Sequence, residues 1–77
     1  VTDEHTENYE HHVVHARYDP DEIWPTRWVT KVYHLEQVGP PTYCRTLHST
    51  TKDRAVKKGR RYVDRRIRRI LSWRSGS

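Results

Sequence analysis

The last third of the chain, Thr50–Trp73 (TTKDRAVKKGRRYVDRRIRRILSW), leaves the fewest choices of fold. Ala55, Val56, Gly59, Tyr62, Val63, Ile67, Ile70 and Leu71 recur at steps of three and four, the spacing that lines one side of an α-helix. At about 100° per residue, Arg54, Lys57, Lys58, Arg61, Arg65, Arg68 and Arg69 fall on the other side. Thr50 stands three residues before Asp53, the spacing of a capping box, and a carboxylate there meets the positive end of the helix dipole. The pattern predicts one long amphipathic helix, and the remaining residues must supply a surface for its apolar stripe.

The preceding residues read as strands. Tyr9–Tyr18 carries the β-branched pair Val13–Val14 among alternating residues, and Arg27–Val38 is rich in Val, Trp, Tyr and Thr. Gly39-Pro40-Pro41 forces a break, after which Thr42–Ser49 returns antiparallel, because the connection is too short for a crossover. Between the first two strands, residues 19–26 (DPDEIWPT) make a loop in which Ile23 and Trp24 are expected to tuck back onto the core. The expected fold is α+β: a three-stranded antiparallel sheet packed against one long C-terminal helix, in the order β-β-β-α. Residues 1–8 are polar and acidic and read as a flexible tail, residues 9–74 as a single small domain, and residues 75–77 as a disordered end.

Seventy-seven residues with 32% apolar content allow only a small core. About 36 Å of helix exceeds the roughly 26 Å of an eight-residue strand, so Ile70, Leu71 and Trp73 are expected to overhang the sheet. Together with Trp28 on the sheet, they are the candidate protein contacts, and a homodimer through the helix end or the open sheet face follows from them. Cys44 is the single cysteine, which precludes an internal disulfide and fits a reducing cytoplasm. No apolar run approaches a membrane span. The chain opens on Val, as a GTG start codon read literally would give, and arginine outnumbers lysine eleven to four. Both features point to a GC-rich actinobacterium or one of its phages, and so to the cytoplasm of a bacterial host.

Charge is unevenly distributed. Residues 50–74 hold eleven Lys or Arg against Asp53 and Asp64, a net of +9, whereas residues 1–49 hold four against eight acids, a net of −4. Like charges at helical spacing destabilise an isolated helix by a few tenths of a kcal/mol per pair, which an anionic partner would relieve. Lys57, Lys58, Arg61, Arg65, Arg68 and Arg69 are therefore the candidate contacts to a polyanion, nucleic acid before others. An acidic host protein, bound by a small phage-type effector through the basic helix and its exposed tryptophans, is the alternative. Sheet partners for the helix and the absence of Phe weigh against a membrane surface.

The segments WVTKVYHLEQ and YCRTLHSTTKDRA resemble the three-stranded-sheet-plus-helix modules of AP2-like and integrase arm-binding type, in which a Thr-Lys-x-x-Ala run opens the helix. Thr51, Lys52 and Ala55 match that run. In those families the sheet enters the major groove, so the resemblance implies Arg27, Lys31 and Arg45 as base or phosphate readers.

Catalysis and metal binding have little to build on. His11, His12 and His15 alternate in a strand, which leaves only two on one face, and HHVVH lacks the glutamate of a zincin motif. Cys44 and His48 lie about 13 Å apart along a strand, too far for a dyad. No phosphate-cradling glycine loop is present, and no cofactor, metal or catalytic residue is expected.

Overall fold

The computed structural model describes residues 3–75, with side chains through residue 72. Four strands, β1 (Glu4–Tyr9), β2 (His12–Tyr18), β3 (Trp28–His34) and β4 (Thr42–Ser49), precede one helix, α1 (Lys52–Ser75). The sheet is an antiparallel meander in the order β1-β2-β3-β4. The α+β architecture is as expected, but the sheet has four strands rather than three.

The extra strand comes from residues 4–8, expected as a tail. β1 pairs with β2 from Glu4↔Arg17 to Tyr9↔His12. Its two-residue connection places Glu10 (φ 49°) and His11 (φ 62°) in the left-handed region, as the tight hairpin turn of type I′ requires. Neither residue is the Gly or Asn that usually advertises such a turn. Instead the turn is held from outside. Leu35 N–H donates to the His11 carbonyl at 2.9 Å, and His12 Nδ1 donates to the Glu10 carbonyl at 2.7 Å.

α1 lies over β2, β3 and β4 and touches β1 at its margin. Val14, Val32 and Val63 form the buried cluster, and Tyr9, Cys44, Tyr62 and Ile67 pack around it. Thr30 on β3 is fully buried and donates through Oγ1 to the Ala55 carbonyl at 3.0 Å, stitching sheet to helix. Small residues permit a close approach. A Cβ at Gly59 would lie 2.5 Å from Val14 Cγ1, which explains a glycine in mid-helix where it weakens helix propensity.

Helix entry falls one residue later than the capping-box spacing implies. The Ala55 amide donates to the Thr51 carbonyl at 2.9 Å, and the Arg54 amide to Thr51 Oγ1 at 3.2 Å, so Thr51 is the N-cap. At the other end Ile70 and Leu71 are exposed, as the overhang predicts. Ser75, expected to be disordered, closes the helix; residues 76 and 77 and the side chain of Trp73 lie outside the described residues. Trp28 does not lie on an open face. It is half-buried on the helix side and meets Tyr18 edge-on at 6.0 Å. The 19–27 loop differs from expectation too: Ile23 is 81% and Trp24 73% exposed.

Candidate functional site

Alternation along β4 decides which of its side chains can meet the helix. Thr30 and Val32, both facing α1, pair with Leu47 and Arg45, which therefore share that face. Across from them, one flank of α1 presents Lys58, Arg61, Arg65 and Arg69. Arg45 and Leu47 of β4 and Lys58, Arg61, Tyr62, Arg65, Arg66, Arg69 and Ile70 of α1 enclose an open groove of about 600 Å³. Six of these nine residues are cations and none is an acid. Leu47, Tyr62 and Ile70 supply its apolar part.

The other flank of α1 is neutralised from within. Arg60 donates to Glu7 of β1 through Nε (3.2 Å to both carboxylate oxygens) and Nη2 (2.9 Å), and its guanidinium lies 5.8 Å from the Tyr9 ring centre. Tyr9 Oη donates to Asp64 Oδ1 at 2.8 Å. Burial pushes the Glu7 carboxyl upward, but the hydrogen bonds from Arg60 and His5 outweigh it and hold the group below its ordinary range. Correspondingly, the Glu7 carboxylate raises Arg60, and the Asp64 carboxylate raises Tyr9. Among the described residues, Arg60–Glu7 is the one ion pair between a Lys or Arg and a carboxylate. The helix thus makes its direct ion pair beside β1, whereas the cations beside β4 line a groove without a carboxylate, Glu36 acting on Arg66 only electrostatically.

Five of the nine expected cationic contacts, Arg45, Lys58, Arg61, Arg65 and Arg69, come together in this groove. Lys58 is also tethered there, its Nζ donating to the His48 carbonyl at 2.8 Å. Four do not join them. Lys57 and Arg68 are exposed and fall on the crest of the helix, roughly opposite Gly59 at 100° per residue. Arg27 is held in the loop, donating to the Glu22 carbonyl at 3.1 Å and to Tyr18 Oη at 3.5 Å. Lys31 sits between Thr30 and Val32 on β3 and points to the face away from α1. Arg27, Lys31 and Arg45 therefore do not form the common sheet surface that the resemblance implies. The sequence reading missed Arg66, a charged residue three positions after Val63 that belongs to neither the apolar stripe nor the basic face. Its Nε is buried and has no hydrogen-bond partner among the described residues.

The histidines disperse. His12 is buried on the helix side, 5.0 Å from the His34 ring, while His15 meets Glu4 at 2.9 Å on the opposite face and His11 is exposed in the turn. Burial lowers the His12 imidazole below its usual range; the Glu10 carbonyl opposes this and the nearby His34 and Arg66 add to it. Among the described residues, no group of three or more His, Cys, Asp or Glu side chains is placed to hold a metal ion. Cys44 is a half-buried free thiol whose Sγ lies 3.6 Å from the Thr42 carbonyl.

No protein-family model matches the chain, and neither a curated protein nor a solved structure does. Among the described residues, no helix is long and apolar enough to cross a membrane.

Proposed function

We propose that this chain is a non-enzymatic binding module whose groove between β4 and α1 takes a polyanion, and that the polyanion is nucleic acid, duplex DNA in particular. One observation carries the reading: six cations contributed by two elements share a groove with no carboxylate in its lining, while Glu7 and Asp64 are engaged on the far flank. From Lys58 to Arg69 the helix advances about 16 Å. One DNA strand carries about five phosphates over that length. Arginine predominates in the row, and its planar fork donates two parallel hydrogen bonds to one phosphate. The helix that carries them is stapled to the sheet through Thr30 and Lys58, so its backbone has little further freedom to lose when a phosphate arrives.

An acidic protein partner is the second reading, favoured by the apolar Leu47, Tyr62 and Ile70 within the same groove. Fluorescence titration of unrelated duplexes at low salt separates the two. The DNA reading expects binding that is lost in Arg61→Glu/Arg65→Glu/Arg69→Glu, with the circular-dichroism spectrum retained. Absence of duplex binding by the wild-type chain at low salt overturns it.

A further inference from the structure

The loop between β2 and β3 is ordered, acidic and apolar at its tip, an unusual combination on a chain with so little apolar surface to spare. Asp19 N–H donates to the Arg27 carbonyl, Glu22 N–H to the Asp19 carbonyl and Thr26 N–H to the Ile23 carbonyl, while Asp19 Oδ1 accepts from the Asp21 amide. Arg27 Nε closes the loop on the Glu22 carbonyl. This bracing holds Ile23 and Trp24 in solvent beside the exposed Asp21. A large aromatic presented on a cross-braced loop is the form that protein contacts favour, because little rotamer and backbone freedom remains to be lost on docking.

The groove beside β4 is its chemical complement: arginines around an apolar part formed by Leu47, Tyr62 and Ile70. We infer that the Asp21–Trp24 loop of one copy of this chain docks in the β4–α1 groove of another, with Trp24 on the apolar part and the acidic side chains among Arg61, Arg65 and Arg69. The loop cannot reach its own groove. Glu22 lies 3.6 Å from His48 Nε2, and His48, paired with Val29, sits on the sheet face away from the helix, whereas Arg45 and Leu47 face α1. The sheet separates the two, so the contact runs between copies. A single contact of this kind is head-to-tail and extends into rings or open chains, whereas two made reciprocally close a two-fold dimer. It uses the groove assigned above to nucleic acid, so the two occupants compete.

Complementation in sedimentation velocity tests this arrangement. A loop variant (Asp21→Asn/Trp24→Ala) keeps its groove, and a groove variant (Arg61→Glu/Arg65→Glu/Arg69→Glu) keeps its loop; all the replaced residues are exposed, and circular dichroism confirms that both variants fold. The wild-type chain at low salt is expected to gain mass with concentration and to return to monomer at high salt. Each variant alone stays monomeric, and their mixture forms a one-to-one pair. A wild-type chain monomeric at every concentration in low salt overturns the inference, as does a mixture in which no pair forms. The loop variant should still bind duplex DNA. Self-association without DNA binding would remove the nucleic-acid reading alone, and DNA binding without self-association would remove this inference alone.

Discussion

Replacing Gly59 with alanine tests how closely the helix lies on the sheet. The added methyl would stand 2.5 Å from Val14 Cγ1 and 3.1 Å from Thr30 Cγ2, against about 3.5–4.0 Å for relaxed carbon contacts. Val14 is fully buried and β-branched, so it has few rotamers into which to retreat. The helix must therefore lift locally, which loosens Val63 against Val14 and Val32 and stretches the 3.0 Å bond from Thr30 to the Ala55 carbonyl. Overpacking of this kind costs about 1–3 kcal/mol, and weakening one buried hydrogen bond adds roughly 1 kcal/mol. Alanine returns about 1 kcal/mol through its better helix propensity. The expected net loss is about 1–3 kcal/mol, read from urea unfolding followed by circular dichroism. Adding Val14→Ala should relieve most of the penalty of the Gly59 change, because the clashing Cγ1 is gone and only the 3.1 Å approach to Thr30 Cγ2 remains, so the pair should be strongly non-additive. If Gly59→Ala alone is neutral or stabilising, the helix does not approach the sheet as described.

Three other outcomes follow. His12 is buried with its pKa lowered by desolvation, so the unfolded chain takes up a proton before the folded one; stability is full above the ordinary value of 6.5 and is lost as pH falls through and below it, a decline that His12→Gln should flatten in urea midpoints measured at descending pH. Glu7 acts in a separate, lower window: its carboxyl is held down, so its contribution persists above 4.5 and fades with further acidification, and Glu7→Gln should shrink that part of the acid-unfolding curve. Thr51→Ala removes the N-cap bond to Arg54 and should cost about 1 kcal/mol in the same denaturation assay, whereas Thr50→Ala should cost clearly less.

The helix was legible because its stripe repeats at 3.6 residues, and every apolar position from Ala55 to Ile67 meets the sheet or borders its core. Its cap reads one residue early from the sequence, at Thr50, because two threonines adjoin there and only the Thr50–Asp53 spacing matches a capping box. β1 was not legible. Its inward side chains are His5, Glu7 and Tyr9, and what fixes it is a pair of contacts to residues more than fifty positions away, Glu7 to Arg60 and Tyr9 to Asp64. Nor does a turn made of Glu10 and His11 carry the Gly or Asn that marks a hairpin. The basic flank was half legible. A helical projection separates cations from the stripe, but it does not tell the flank beside β1 from the flank beside β4, and that difference decides which arginines are paired. Arg66 belongs to neither the apolar stripe nor the basic face read from the sequence, yet it lines the groove. Ile23 and Trp24 were expected inside, as their size suggests, whereas the loop's own hydrogen bonds hold them outside.

The salt dependence of duplex DNA binding is the sharpest probe of the groove. With Lys58 partly engaged by the His48 carbonyl, five groove arginines remain, and neutralising about five phosphates predicts a slope of log K against log salt near −4.5. Reversing Arg61, Arg65 and Arg69 should abolish that binding, while reversing Lys57 and Arg68 on the helix crest should weaken it much less. Equal losses from the two sets, or wild-type binding insensitive to salt, would contradict a groove that works by collecting phosphates.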